Sequence, residues 1–415
     1  MVSSKEVPRR PLPFDPSSAT LPIIGLGCSS FSSFFMKDQD DGGTEITAEM
    51  LAADPSAVPR TWIDVIRKAL DCGINVLDTA PWYGHGTSEI TIGAAFLEVL
   101  ATEDRDERVG EEGGGDAAFR RHRREHIRVH TKVGRYDADP RRMFDYSRNA
   151  VLSSVRRSIE RMRCSYVDLL QLHDPEFAPS VDLLVDVTVP AMAECKKRGW
   201  ARSLGITGYP LEVQHEILVR CAEVGLKFDA ALAYCHFNWH DASLFSPSDA
   251  FGNKNRSFFE SCAERDVAVL AAAPLSMGLF SPDGPPDWHP AAPELKEACR
   301  LARDICADEA VSVTELALTW ALYESRIPCT FLGIADVEEL EAAVAVARKV
   351  GEGKLDDILN GKERRALSRI MAKDGPFAKV SLEGKNAWDG VTIAEKFWMS
   401  IDGGREAADD RMRKG

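Results

Sequence analysis

Short apolar runs alternate with stretches that carry apolar residues at helical spacing, from Leu21 to Val350. Leu21–Gly27 predicts a first strand running into glycines. Thr61–Leu70 puts Trp62, Val65, Ile66 and Leu70 on one face and predicts a helix. Ile74–Leu77 predicts a second strand. A helix follows from an N-cap at Ser88, carrying Ile90, Ile92, Phe96 and Leu100. Further strands are predicted at Ile127–Lys132, Val167–Leu172, Ala201–Ile206, Ala230–Tyr234, Val267–Ala272 and Thr330–Leu332. Helices between and after them are predicted over Asn149–Arg163, Leu184–Arg198, Leu211–Val224, Asn255–Arg265, Glu294–Asp308, Val313–Tyr323 and Val337–Val350.

Strict alternation implies parallel strands joined by helical crossovers. About eight such units in one run fit a closed (β/α)₈ TIM barrel better than an open sheet. An open dinucleotide-binding sheet would also need a strand–GxGxxG–helix run. Gly25-Leu26-Gly27 lacks the third glycine, and Gly113-Gly114-Gly115 lies in a low-complexity stretch. The organisation expected is an N-terminal arm over 1–20, a barrel over 21–350 and a C-terminal extension over 351–415. Insertions interrupt the barrel at about 32–60 and 101–126. The first follows strand one and is either a lid or a disordered segment. The second passes from acidic and glycine-rich to basic, as a solvated insertion does. The extension carries one helix near Glu363–Met371. It is irregular after Asp374, with Trp388, Phe397 and Trp398 marking a part that packs.

Composition narrows the setting. The 415 residues carry a formal net charge of −14, which argues against nucleic acid or an anionic membrane as partner, since both need a basic surface. No apolar run reaches the roughly 20 residues of a membrane span. Met1–Pro16 is polar and proline-rich, unlike a signal peptide. The ten cysteines are scattered without CxxC pairs, as free thiols are in a reducing compartment. A cytoplasmic monomer or homodimer is expected. His122, His126 and His130 are four apart, but the last lies in a predicted strand, so no metal site is expected.

In a barrel of this type catalytic groups sit at the C-terminal ends of strands. Those ends bear Asp78, Lys132 and His173, on consecutive strands, with an exposed-looking Tyr83 in the turn after Asp78. Tyrosine has a pKa of about 10, too high for a base at neutral pH. An adjacent ammonium lowers it, a carboxylate keeps that ammonium charged, and a histidine can orient a substrate oxygen. The set suits proton transfer at a hydroxyl or carbonyl. It has no redox capacity of its own, so an oxidoreductase built on it needs a borrowed hydride acceptor.

The run Asp78-Thr79-Ala80-Pro81-Trp82-Tyr83-Gly84, followed by Ser88-Glu89, resembles the signature of the aldo-keto reductases. Lys132 in His130-Thr131-Lys132 and His173 in Leu170-Gln171-Leu172-His173 fall where that family keeps its lysine and histidine. The resemblance covers roughly residues 21–350. It implies a barrel that binds NAD(P)H in extended form without a Rossmann motif. Gly205-Ile206-Thr207-Gly208, Tyr234-Cys235-His236 and Ala273–Leu279 resemble the family branch that oxidises sugars such as L-galactose, L-fucose or D-arabinose at C1 to the aldonolactone. So does the run from Gly284 through Trp288 and His289 to Pro290, which has no evident catalytic logic and reads as an ordered loop.

That resemblance implies a pyrophosphate site at Ala273, Pro274, Leu275, Ser276, Gly278 and Leu279, and an adenosine site at Gly333, Ile334, Ala335, Asp336 and Glu339. Gly27, Asp78, Thr207 and Gly208 complete the cofactor site, and Tyr83, His173, Trp82 and His236 face a small sugar substrate. A helix N-terminus after Gly333 offers unpaired N–H groups. Asp336 and Glu339 would repel a 2′-phosphate, so NAD is expected over NADP. Ala272 and Ala343 stand where most of the family has an aromatic against nicotinamide and an asparagine against adenine. Three alternatives remain. They are an NADPH-dependent aldehyde or ketone reductase, a non-catalytic cofactor-binding barrel, and an aldolase using Lys132, which Asp78 opposes by keeping the lysine protonated.

Overall fold

The computed structural model describes residues 6–15, 19–32, 46–100, 122–252, 254–380 and 390–415. Its strands are β1 (Arg9–Pro11), β2 (Thr20–Pro22), β3 (Ile24–Gly27), β4 (Val76–Asp78), β5 (Arg128–Val133), β6 (Val167–His173), β7 (Ala201–Gly208), β8 (Ala230–Tyr234), β9 (Ala268–Ala272) and β10 (Thr330–Gly333). The last eight form a closed parallel barrel, ordered β10-β3-β4-β5-β6-β7-β8-β9. Its interior is filled by Val76, Leu169, Leu232, Leu270 and Phe331, one inward residue from each of five strands. A larger apolar layer lies between strands and helices. There the helix Arg60–Asp71 buries Trp62, Val65, Ile66 and Leu70, the face its spacing predicts.

Leu21–Gly27 is not one strand. β2 pairs antiparallel with β1, and β3 starts after Ile23. The arm over 1–20 is thus partly a hairpin that floors the barrel. Leu21 plugs the interior, and the Arg10 guanidinium donates to the carbonyls of Leu322, Glu324 and Ile327. Three-residue strands carry too little pattern to be told from an arm.

Ser88 is not a cap. The helix runs Thr87–Val99 after Gly86, whose φ is +111°. L side chains rarely adopt that φ, so the turn needs glycine. Ser88 Oγ instead donates to the Cys28 carbonyl and meets Thr79 Oγ1, both at 2.8 Å. The predicted helix 184–198 begins with a π-turn, Leu184–Thr188, ahead of Val189–Lys197, where Pro190 removes a backbone donor.

Of the first insertion, 33–45 lies outside the described residues. The rest holds a helix, Ala48–Ala53, packed on the flank against Thr87–Val99. Residues 101–121 of the second insertion, and Trp388, likewise lie outside the described residues. The tail beyond Asp374 is more regular than expected, with helices at Gly390–Met399 and Gly404–Lys414. Trp398 is buried and its Nε1–H donates to the Phe177 carbonyl at 3.0 Å. No helix among the described residues is long and apolar enough to cross a membrane.

Candidate active site

Register brings the key strand ends together. Gly27 pairs with Asp78, Asp78 with His130, Lys132 with Gln171, and His173 with Thr207. Residues two apart on a strand share a face, so His130 joins Lys132, and Gln171 joins His173. Lys132 is the hub. Its Nζ donates to Asp78 Oδ1 and, at 2.8 Å, to the Thr79 carbonyl. It lies 4.5 Å from the centre of the Tyr83 ring. Asp78 Oδ2 accepts from Gln171 Nε2 at 2.7 Å, with His130 Nδ1 at 4.0 Å. Tyr83 follows Asp78 on a turn in which Gly84 and His85 take left-handed φ of +57° and +51°. It is half-buried rather than exposed, and its ring meets His173 edge-on at 6.1 Å.

One shell further out, Glu89 is fully buried. It accepts from Thr131 Oγ1 at 2.9 Å and pairs with Arg161 at 3.1 Å, tying its helix to β5 beside Lys132. Beyond β5, Arg135 pairs with Asp174 at 2.8 Å and stacks on Trp82 at 3.9 Å. Trp82, Tyr83 and His173 therefore share one rim with Asp174. Pattern reading passed over Gln171, although its place two before His173 was a signal. It also passed over Arg135, whose partner Asp174 is the residue just beyond β6.

Burial in this mouth is severe, and it decides the charges. Burial works against the Lys132 ammonium, but Asp78 and Tyr83 more than offset it, so its pKa stands above the ordinary lysine value. Burial also raises Tyr83 above its ordinary value. Lys132 pulls it down without prevailing, and Asp78 adds to the rise. This corrects the expectation of a net lowering, because desolvation of a phenolate outweighs one cation already shared with a carboxylate. His173 falls to about 3, through burial opposed by Asp174 and helped by Lys132 and Arg135. His130 also falls to about 3, through burial and the cations Arg128 and Lys132. Both imidazoles are neutral at physiological pH. His173 Nδ1 is buried and has no hydrogen-bond partner among the described residues, an atom that a ligand oxygen or amide suits.

The expected cofactor residues ring the same end. Gly333 pairs with Gly27, and a Cβ on Gly27 would come within 2.9 Å of the Leu332 carbonyl. Thr207 and Gly208 end β7. The loop Ala273–Leu279 follows β9. Asp336 caps the helix Val337–Val350, accepting from the Glu339 N–H at 2.8 Å, and Glu339 Oε2 accepts from the Ala335 N–H at 2.9 Å. The N–H groups of Ala335 and Glu339 are therefore matched to carboxylates. Tyr234 stands in register with Ala272, so an aromatic ends the neighbouring strand where Ala272 offers none. His236 has both ring nitrogens engaged within the protein: Nε2 donates to the Tyr209 carbonyl at 2.5 Å, and Nδ1 lies 2.8 Å from Ser243 Oγ. A cavity of about 340 Å³ lies elsewhere, on the flank by Leu51, Ile90 and Arg161, far in kind from this polar mouth.

The profile of the Aldo/keto reductase family matches residues 51–352. The chain belongs to the aldo/keto reductase family. It is 34% identical over 310 residues to the L-galactose dehydrogenase of Arabidopsis thaliana, covering 75% of this chain and 83% of that one. It is 30% identical over 310 residues to the D-arabinose 1-dehydrogenase of Saccharomyces cerevisiae, covering 73% and 80%. It is 26% identical over 319 residues to a D-threo-aldose 1-dehydrogenase of a Pseudomonas species, covering 75% and 85%. A solved aldo-keto reductase from Bacillus halodurans, in holo form, shares the fold with a TM-score of 0.58 at 22% identity, covering 89% of this chain and 98% of that one. As an aldo/keto reductase the protein is an oxidoreductase, of a family that works with a nicotinamide cofactor.

Proposed function

We propose that this protein oxidises a free aldose of the L-galactose type at C1 to the aldonolactone, with NAD⁺ as acceptor. The observation that carries the reading is the buried lysine clamped between Asp78 and the Tyr83 ring, beside a neutral His173. The names of the three similar dehydrogenases support the substrate class. The carboxylates of Asp336 and Glu339, where an NADP enzyme needs cations, support NAD.

The residues divide the labour as follows. His173 hydrogen-bonds the anomeric oxygen and orients it. Tyr83, as phenolate, takes the hydroxyl proton. Lys132 stabilises that phenolate at the moment it is needed, and Asp78, held by Gln171, keeps Lys132 charged and aimed. The bound nicotinamide supplies the acceptor for the C1 hydride. Loss of the O–H proton and the C1 hydride leaves the lactone carbonyl, and Tyr83 returns its proton to solvent. Trp82, held by Arg135, lies on the same rim as a flat apolar surface for the sugar.

Tyr83→Phe tests the assignment of the base. It should lower kcat by about a hundredfold or more while the dissociation constant for NAD⁺, read by fluorescence titration, stays within twofold. Normal turnover in this variant would remove Tyr83 from the chemistry.

A further inference from the structure

The loop after β9 holds a conformation that its residues do not favour. Ala273, Ser276 and Met277 have φ of +56°, +50° and +52°, and Gly278 follows at +92°. L-residues rarely enter this region, and a run of them persists only where surroundings hold it. Here two histidines from elsewhere in the chain grip one residue. His240 Nε2 lies 2.8 Å from Ser276 Oγ, and His289 Nε2 lies 3.0 Å from the Ser276 carbonyl. His289 Nδ1 accepts from the Ala291 N–H at 3.1 Å, so the ring hydrogen is on Nε2 and His289 is the donor to Ser276. Ser276, His240 and His289 are all buried. Burial holds His240 down to about 4 and lowers His289, so both pins are neutral at physiological pH.

The grip extends to the neighbouring strand. The loop after β8 is internally braced, with Asn238 Nδ2 donating to the Cys235 carbonyl at 2.9 Å and Asn238 Oδ1 accepting from the His240 N–H at 3.0 Å. His289 itself is set by a turn, its N–H donating to the Pro286 carbonyl at 3.0 Å. The run from Gly284 to Pro290 thus places one imidazole against the Ser276 carbonyl of the strained loop.

We propose that His289, with His240, is a positioning residue that fixes Ser276–Gly278 in the shape that receives the dinucleotide pyrophosphate. The 284–290 run would then govern cofactor affinity and not the choice of sugar. This rests on the reading in which the loop after β9 holds the pyrophosphate.

The test compares His289→Leu with His289→Gln, whose amide N–H can still donate to the Ser276 carbonyl. NAD⁺ and ADP-ribose are titrated against the full-length folded proteins, alongside steady-state kinetics. His289→Leu should weaken both ligands by about tenfold, the scale of one lost buried hydrogen bond. It should leave kcat at saturating dinucleotide and the sugar KM within twofold, and Gln should recover most of the affinity. His240→Leu against His240→Gln provides the same comparison at the Ser276 hydroxyl should the His289→Leu variant not fold. Unchanged NAD⁺ affinity in the Leu variant, or equal losses with Leu and Gln, would overturn the inference while leaving the cofactor reading intact. A wild-type protein that binds neither NAD⁺, NADP⁺ nor ADP-ribose would overturn both.

Discussion

Lys132 carries more of the site than any other residue, because its ammonium lies between Asp78 and Tyr83 at the bottom of the mouth. Its charge lowers Tyr83 while burial raises it, and burial wins. A base must be ionised, so the oxidation rate should climb with pH toward and beyond the ordinary tyrosine value of about 10. Lys132→Met should move that rise to still higher pH, since the cation that favours the phenolate is gone. It should also cost about 3–5 kcal/mol of stability, because Asp78 is left buried without its cation. A pH–rate profile and a denaturant titration check both statements. A profile that is flat with pH, or one that Lys132→Met does not move, would contradict this account of the base. The convergence of Asp78, Tyr83, Lys132 and His173 was legible from strand ends alone. The charge balance was not, because desolvation depends on how deeply other chain segments cover Tyr83.

At the scale of elements, local pattern set the bounds of several segments. Ala230–Tyr234, Val313–Tyr323 and Val337–Val350 have in the structure the bounds their periodicity predicts. The failures share a cause: their reasons lie in distant partners. The β1–β2 hairpin is made by pairing across the barrel floor, Ser88 is drawn to the Cys28 carbonyl, and the tail helices form against the loop after β6. That last contact is an aromatic stack. Phe144 and Phe177 lie 4.3 Å apart, with the Phe397 ring edge-on at 5.1 Å from Phe144, and Trp398 donates to the Phe177 carbonyl. Trp398→Ala should therefore loosen the tail by about 3–5 kcal/mol. Limited proteolysis should release the segment 390–415 faster than from the wild type, ahead of any cleavage in the barrel. Equal rates would show that the aromatic stack does not anchor the tail.

For the whole molecule, alternation of strands and helices was enough to predict a closed barrel, and the hydrogen-bonded order of its eight strands agrees. The residues between and beyond the barrel elements were less legible, because insertions follow no period and their fold depends on which surface they cover. Sequence charge predicted an acidic molecule, and the acidic cap at Asp336 and Glu339 carries that sign to the end of the barrel proposed to hold the cofactor. The central claim joins a substrate class to a cofactor, so one measurement reaches it most directly. Initial rates of dinucleotide reduction are taken with L-galactose, L-fucose, D-arabinose and D-galactose, each with NAD⁺ and with NADP⁺. The account predicts fast turnover of at least one sugar with NAD⁺ and at least tenfold lower kcat/KM with NADP⁺, the equivalent of about 1.4 kcal/mol. Silence on every sugar, together with reduction of simple aldehydes by NADPH, would contradict it.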